Sequence, residues 1–180
     1  MEHKGTVRLE TERLILRKLE VSDAQSMYKN WANSATVTKF MTWLPHENES
    51  VTKTVINSWI EQYANSNFYQ WAIVLKDINE PIGSISVVRI DERVDECEIG
   101  YCIGEKWWGN GYTAEAFRKV IEFLFGEVKA NRISAKHDIN NPNSGKVMVK
   151  CGLEKEGVLR RAFKGNQGIC DVALYSIIRK

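Results

Sequence analysis

The sequence predicts a single α/β domain, in which one mixed sheet carries helices on its faces. The chain has 180 residues, the length of one domain, and 43% of them are apolar, which is enough to fill one core. The predicted elements follow the order β-α-α-βββ-α-β-α-ββ, with no repeat and no Pro/Ser-rich linker. One strand-helix-strand portion of this order forms a crossover, which makes two strands of an otherwise antiparallel sheet parallel. We therefore expect residues 1–180 to form one domain.

The first part of the chain predicts one strand and two helices. RLILRKL, residues 13–19, alternates apolar and polar side chains as a half-buried strand does. Ser22 and Gln25 have the spacing of a capping box, which predicts a helix that runs to about Trp31. Apolar residues at helical spacing predict a second helix over residues 50–64.

The remaining chain predicts the rest of the sheet and two more helices. A helix begins near Thr113, and a strand over 131–139 follows it. A short helix with Ser144 as its N-cap ends at Gly152, and two strands joined through 165–168 complete the chain. Upstream of these elements, short polar connections between segments rich in β-branched and aromatic residues predict an antiparallel meander of three strands: YQWAIVL (69–75), PIGSISVVRI (81–90) and ECEIGYCI (96–103).

Charge and composition exclude several classes of function. The 25 basic and 23 acidic residues give a net charge of +2 and are mixed along the chain, so we expect neither a nucleic-acid partner nor a membrane surface. No secretory signal is visible, and no apolar run approaches the roughly 20 residues of a membrane span. The four cysteines and three histidines lie apart from one another, so no metal site is predicted. These features predict a cytoplasmic protein with reduced thiols.

The segment WWGNGYTAEAF, residues 107–117, lies between a predicted strand and the start of the next helix. A helix start leaves backbone N–H groups without partners and carries the positive end of the helix dipole. Gly109 and Gly111 lack the Cβ atoms that would keep a ligand away from the neighbouring amides. A phosphate or diphosphate is therefore the expected ligand of this segment.

Simple phosphate-binding motifs explain the segment poorly. A Walker A loop needs a Lys after its second glycine, and none follows Gly111. Gly109, Gly111 and Ala114 satisfy the dinucleotide pattern G-x-G-x-x-A, but the acidic residue that holds the ribose is missing about 20 positions later. These three residues make a nicotinamide-dependent oxidoreductase a distant alternative. A second alternative is that the glycines only form a tight turn and bind no ligand.

Four motifs together resemble a known family. CEIGYCIGEKWWGNGYTAEAF resembles motif A of the GNAT superfamily of acyl-CoA-dependent N-acetyltransferases, in the form typical of the ribosomal-protein N-terminal acetyltransferases. Trp108 and Thr113 stand where the superfamily pattern has Q/R and G/A, as is usual in that branch. The branch also has segments similar to LETERLILRKLEVSDA, to the N-x-x-S motif at 141–144 and to KCGLEKEG at 150–157. These motifs occur in the family's order and cover nearly the whole chain.

The resemblance implies a fold in which two central strands splay apart and the pantetheine arm of acetyl-CoA lies in the gap. It assigns the pantetheine amides to the backbone of Tyr101, Cys102 and Ile103, with Asn141 on the opposite side. It assigns the diphosphate to the backbone amides of six consecutive residues: Gly109, Asn110, Gly111, Tyr112, Thr113 and Ala114. No metal is implied.

The implied reaction is direct attack of a neutral amine on the thioester. Glu98, on the strand that leads to the gap, is the candidate general base, and Glu96 on the same strand face is the alternative. Many superfamily members protonate the departing thiolate with a Tyr seven residues after the Asn, but Met148 occupies that position here. Ser144 is therefore the candidate for this role. Met148 at this position also motivates an alternative hypothesis, in which the protein binds coenzyme A as a regulator and has lost catalytic activity.

Of the predicted features of the reaction, the acceptor amine is the one that the sequence specifies least. An α-amine has a pKa of about 7.7–8.0 and a lysine one of about 10.4, so deprotonating a lysine costs about 3–4 kcal/mol more at neutral pH. The absence of an acidic cluster disfavours a polycationic antibiotic and favours a peptide N-terminus or a small amine. The resemblance to the ribosomal-protein branch implies the N-terminal α-amine of a protein, such as a ribosomal protein, with a small-molecule amine or antibiotic as the alternative. A homodimer is compatible with the sequence. Four aromatic residues are expected to line the acceptor side: Trp31, Phe40, Trp43 and Trp59.

Overall fold

The computed structural model describes residues 1–180 and contains one mixed sheet, as the sequence predicts, with eight strands where seven were predicted. The strands lie in the spatial order 1-2-3-4-5-6-8-7, and all neighbours are antiparallel except the fifth and sixth, which are parallel. The strands are β1 (Leu9–Glu10), β2 (Leu14–Arg17), β3 (Gln70–Leu75), β4 (Glu80–Asp91), β5 (Glu96–Ile103), β6 (Arg132–Asp138), β7 (Glu154–Gly165) and β8 (Gly168–Ile178).

Five α-helices connect these strands: α1 (Ala24–Met27), α2 (Ala35–Thr38), α3 (Glu49–Gln62), α4 (Tyr112–Gly126) and α5 (Pro142–Lys150). A 3₁₀ turn, Val21–Asp23, precedes α1, and a π-helical turn, Tyr28–Ala32, continues it. Every element predicted from the sequence is present, whereas the two-residue β1 and the single-turn α2 were not predicted. None of the helices combines the length and the apolar character that crossing a bilayer requires.

The first helical segment begins before the predicted cap. Its N-cap is Glu20 rather than Ser22, because the backbone N–H of Glu20 donates to Asp23 Oδ2 at 2.8 Å. Arg17 Nη1 holds the same carboxylate oxygen at 2.7 Å, and the side chain of Asp23 is buried. This ion pair with the preceding strand selects Asp23 as the acid of the capping box, which local spacing alone could not show.

The start of α5 also corrects the sequence interpretation. The helix begins at Pro142, two residues before Ser144, and its N-cap is Asn141. Proline is favourable in the first helical turn because its missing N–H would have no intrahelical partner there. Ser144 therefore lies within the first turn and is not the N-cap.

Helices cover both faces of the sheet and form two hydrophobic clusters. The larger cluster lies beneath α4 and α5 and includes the fully buried Trp71 and Phe117. The smaller cluster lies beneath α1 and α3 and includes the fully buried Trp31 and Ile56. Burial of this apolar surface, at about 25 cal/mol per Å², fixes the central strands between two helical layers.

β5 and β6 separate after a short region of pairing. Residues 96–98 of β5 lie opposite residues 132–134 of β6, and the pairing ends there. β5 continues along β4 over residues 99–103, and β6 continues along β8 over residues 135–138. The two strands therefore splay apart and leave a gap in the middle of the sheet.

Candidate active site

The start of α4 presents a row of backbone N–H groups that have no partner in the protein. None of the six N–H groups from Gly109 to Ala114 donates a hydrogen bond within the chain, and no side chain caps the helix. The N–H of Glu115 is the first that is satisfied, by Gly111 O at 3.0 Å. Gly109 and Gly111 have φ values of 80° and 81°, a region that favours glycine. Free N–H groups at the positive end of a helix form a site suited to a diphosphate.

Arg13 and Glu115 hold this row in place. The carboxylate of Glu115 accepts hydrogen bonds from the N–H of Arg13 at 3.0 Å, from Arg13 Nε at 2.7 Å and from Thr11 Oγ1 at 2.5 Å. Burial raises the pKa of Glu115, but these hydrogen bonds outweigh burial and leave the pKa below its usual value. Arg13 Nη1 donates to Asn110 O at 3.1 Å, and its guanidinium lies 4.4 Å from the centre of the Tyr112 ring. These contacts leave the N–H groups free.

The backbone of β5 offers alternate residues to the gap. The N–H of Gly104 donates to Ile82 O at 2.9 Å, so strand alternation turns the backbone groups of Cys102 towards β4 as well. The carbonyl oxygen of Cys102 lies so close to Gly83 that a Cβ there would collide with it. The backbone of Cys102 therefore faces β4 and not the gap, an orientation that disfavours its predicted contact with the pantetheine arm. Cys102 instead contributes its side chain to the cavity described below.

Tyr101 and Ile103 have the opposite orientation, and their backbone groups face the gap. The carbonyl oxygen of Ile103 already accepts a hydrogen bond from Trp108 Nε1 at 2.8 Å. The groups left for an extended ligand are the N–H and carbonyl of Tyr101 and the N–H of Ile103. Unsatisfied backbone groups on a strand edge favour a ligand that pairs with them as a further strand would.

A cavity of about 510 Å³ includes the gap and reaches both faces of the sheet. Glu98 and Cys102 line it from β5, Lys136 lines it from β6, and Ser144 and Met148 line it from α5. On the side covered by α1 and α3, its wall contains the four aromatic residues expected from the sequence: Trp31, Phe40, Trp43 and Trp59. The cavity thus connects the gap between the strands with a largely aromatic compartment.

Glu98 lies in the cavity wall with a cation at each carboxylate oxygen. Lys136 Nζ lies 2.9 Å from Oε1, Arg89 Nε lies 3.1 Å from Oε2, and the Glu98 side chain is only 7% exposed. Glu96, the alternative base, accepts from Arg89 Nη2 at 3.1 Å and from Ser134 Oγ at 2.6 Å, and it does not line the cavity. Of the two carboxylates, Glu98 is therefore the one that can face a ligand.

Asn141 and Ser144 meet on the opposite wall. Asn141 Nδ2 donates to Ser144 Oγ at 3.0 Å, which leaves the serine hydroxyl proton free to donate elsewhere. Tyr101 donates its phenol proton to Ser144 O at 2.9 Å, and burial raises the pKa of Tyr101. Met148, at the position of the superfamily's Tyr, is buried and cannot donate. Ser144 is thus the hydroxyl of this wall whose proton has no acceptor, and Asn141 keeps its side-chain oxygen for a ligand.

Some residues of the site were not recognised from the sequence. Lys136 lies on the same strand face as Glu98, a relation that follows only from the register of β5 and β6. His46 lines the aromatic compartment, where its Nδ1 lies 2.8 Å from Thr52 Oγ1. Burial lowers the pKa of His46, so the ring is neutral at pH 7. Arg13 lies within the segment LETERLILRKLEVSDA, but no role was predicted for it.

Two buried cysteines, Cys97 and Cys151, have thiols that stay protonated. Burial raises the pKa of Cys97 to about 12 and that of Cys151 to about 11, so these thiols are protonated at neutral pH. No three side chains of the His, Cys, Asp and Glu types come together as they would around a metal ion.

Comparison with known proteins identifies the family. A model of the acetyltransferase (GNAT) domain matches residues 13–154. The chain belongs to the GNAT acetyltransferase family. It is therefore an acetyl-CoA-dependent N-acetyltransferase, and the free amides of α4 and the gap fit the diphosphate and pantetheine arm of its acetyl donor. The nicotinamide alternative is set aside.

Individual relatives agree with this GNAT assignment. The chain is 33% identical over 172 residues, covering 96% of each protein, to an uncharacterized N-acetyltransferase p20 of Bacillus licheniformis. It is 30% identical over 160 residues to the [ribosomal protein uS5]-alanine N-acetyltransferase of Escherichia coli (strain K12), covering 84% of this chain and 80% of the relative. The structure of the microcin C7 self immunity acetyltransferase MccE, in complex with acetyl-CoA and AMP, matches with a TM-score of 0.82 and 25% identity over 93% of both chains.

Proposed function

We propose that this GNAT acetyltransferase acetylates the N-terminal α-amine of a protein, with a ribosomal protein as the preferred acceptor. The observation that carries the proposal is the cavity that connects the gap between β5 and β6 with an aromatic compartment. Its E. coli relative acts on ribosomal protein uS5, as its name states, and is similar over most of both chains. A chain end that enters the compartment would bring its amine to the gap.

The charges of the cavity favour an acceptor with one positive charge. Two carboxylates, Glu98 and Asp138, line the cavity, and Glu98 is paired with Lys136 and Arg89. Asp138 has no cationic partner, and its Oδ1 accepts hydrogen bonds from the N–H and Nδ2 of Asn140 at 2.8 and 2.9 Å. A single uncompensated carboxylate matches one ammonium group, whereas a polycationic antibiotic would require several acidic side chains.

The proton balance of the reaction also favours an α-amine. An α-ammonium loses its proton near pH 7.7–8.0, so roughly a tenth to a fifth of such amines are neutral at pH 7. A lysine is neutral in well under about one molecule in a thousand at this pH. Because each oxygen of Glu98 already has a cation beside it, the site suits an amine that is partly neutral before it binds.

The candidate catalytic roles follow from the two walls of the gap. Glu98 accepts the proton of the attacking amine through a bridging water, and Lys136 and Arg89 keep its side chain in position. The free N–H of Ile103 donates to the oxygen on which negative charge develops. The hydroxyl of Ser144, already oriented by Asn141, donates its proton to the departing sulfur.

A panel of amines tests the proposed acceptor. Purified protein is incubated with acetyl-CoA and short peptides that begin with Ala, Ser or Met, with the same peptides blocked at the α-amine but carrying an internal lysine, and with an aminoglycoside. Thiol release gives the rate, and mass spectrometry locates the acetyl group. We expect transfer to free α-amines only. Acetylation of lysine or of the aminoglycoside alone would contradict the proposal, and acetyl-CoA binding without transfer to any amine would indicate the inactive regulator.

Three variants test the catalytic roles. Glu98→Gln and Ser144→Ala are each expected to lower kcat by about 10²–10⁴-fold, the usual range for loss of a proton-transfer group. Glu96→Gln is the matched control, since Glu96 shares Arg89 with Glu98 but does not line the cavity. An unchanged kcat for Glu98→Gln, or an equal loss for Glu96→Gln, removes Glu98 from the mechanism.

A further inference from the structure

The aromatic compartment depends on an irregular segment between α2 and α3, residues 39–48, termed here the acceptor loop. Only a few backbone hydrogen bonds hold it to the helices nearby: the N–H of Met41 donates to Thr38 O, and that of His46 donates to Ala32 O, both at 2.8 Å. A loop with so few bonds of its own requires support from elsewhere. It supplies much of the compartment wall: Phe40, Met41, Thr42, Trp43 and His46.

That support comes from a residue more than a hundred positions away in the chain. Asn166 lies in the two-residue turn between β7 and β8, and its backbone N–H donates to Met41 O at 2.8 Å. Its Nδ2 donates to Thr38 O at 2.8 Å and to Trp43 O at 2.9 Å. One residue therefore donates to the carbonyl oxygen of Thr38, at the end of α2, and to two carbonyl oxygens of the acceptor loop.

The turn and the loop form one continuous wall of the cavity. Phe163 of β7 and Val172 of β8 line the cavity from the same hairpin. The preceding residue, Gly165, is so close to the loop that a Cβ there would lie 3.3 Å from Met41 O. Gly168 is the residue of this turn that has a positive φ, 108°. The backbone conformation of the turn therefore does not require an asparagine at position 166.

We propose that Asn166 is a positioning residue for the acceptor amine, because it ties the acceptor loop to the β7–β8 turn and thereby fixes the side chains of the compartment. The identity of the amine in this inference rests on the proposed function. The contacts of Asn166 are observed in the structure and do not depend on it. Asn166 does not touch the reacting atoms. Its loss affects amine binding, whereas the amides at 109–114, which belong to a different part of the cleft, keep their affinity for acetyl-CoA.

Two substitutions and one control test the role of Asn166. Asn166→Ala removes the two Nδ2 hydrogen bonds, and Asn166→Asp places a carboxylate against the carbonyl oxygens of Thr38 and Trp43. Gln167→Ala is the matched control in the same turn, since the Gln167 side chain donates only to Asn166 Oδ1, at 3.0 Å. Neither residue has a positive φ, so the turn tolerates all three substitutions. The readouts are amide hydrogen exchange over residues 38–48, the calorimetric Kd for acetyl-CoA and the steady-state constants for the best peptide of the amine panel.

We expect about tenfold faster exchange of the acceptor loop in Asn166→Ala, and at least as much in Asn166→Asp. The KM for the peptide rises about tenfold, with a smaller change in kcat and with the Kd for acetyl-CoA within about twofold of wild type. Gln167→Ala matches wild type in all readouts. Wild-type exchange in Asn166→Ala, or a parallel rise in the Kd for acetyl-CoA, overturns the proposal. If no amine is acetylated by wild type, the proposed function fails, while exchange and calorimetry still decide the role of Asn166.

Discussion

Replacement of Gly111 by Ala tests the free amides of α4 with a single methyl group. Gly111 is the N-cap of the helix and has φ of 81°, a conformation that costs an alanine about 1–2 kcal/mol. The atom nearest to the added Cβ is Arg13 Nη2 at 3.7 Å, an ordinary contact, so the cost arises from backbone strain and not from a collision. The chain relieves this strain by rotating towards negative φ, which turns neighbouring N–H groups away from the ligand.

The expected loss follows from the hydrogen bonds concerned. One hydrogen bond from an amide to a charged diphosphate contributes about 1.5–3 kcal/mol, so the loss of a single bond weakens acetyl-CoA binding by about 10- to 150-fold. Isothermal titration calorimetry measures the Kd for acetyl-CoA, and thermal unfolding measures the strain.

The control for Gly111→Ala is Gly126→Ala at the last residue of the same helix. Gly126 has no positive φ, and a Cβ there meets no atom within 4 Å, so the Kd for acetyl-CoA should be unchanged. The reasoning is refuted if Gly111→Ala lowers Tm but binds acetyl-CoA with the wild-type Kd.

Three further predictions concern stability and the rejected nucleophile. In Gly145→Ala the new Cβ would lie 2.6 Å from His137 Nε2 beneath α5, so Tm should fall by about 2–10 °C in a thermal melt; an unchanged Tm would show that the helix shifts freely. Hydrogen bonds led by that from Arg132 lower the pKa of Glu156 from 4.5 to about 2, so its stabilisation is complete above pH 4.5 and is lost as the pH falls towards 2. Glu156→Gln should therefore reduce the pH dependence of the free energy of unfolding, measured by urea denaturation over that pH range, by less than about 1 kcal/mol. A pH dependence that coincides with that of wild type would contradict the ion pair. Cys151→Ala should keep kcat within about threefold, since burial raises the pKa of this thiol to about 11; a loss above about a hundredfold would favour a covalent intermediate over direct attack.

Features encoded by local sequence were predictable. The order of strands and helices followed from apolar spacing, and the strand-helix-strand crossover made β5 and β6 parallel as expected. Gly109 and Gly111 indicated free amides because a glycine before a helix allows positive φ and lets a ligand approach the backbone. Both residues have positive φ in the structure.

Features that depend on distant contacts were not predictable. The orientation of the Cys102 backbone depends on the phase of the pairing between β4 and β5, where the register shifts once. Asp23 became the capping acid because Arg17 of β2 reaches it. Asn166 supports the acceptor loop only because the long hairpin of β7 and β8 ends beside that loop, which no local spacing reveals.

The central claim is that the unpartnered amides at the head of α4 bind the diphosphate of acetyl-CoA. The most direct test is a two-dimensional ¹⁵N–¹H NMR titration of the labelled protein with coenzyme A. The six amide resonances from Gly109 to Ala114 are predicted to show the largest shifts in the protein and to gain protection from exchange, because they change from unbonded to bonded. If coenzyme A binds while these six resonances stay in place, the diphosphate lies elsewhere and the account is contradicted.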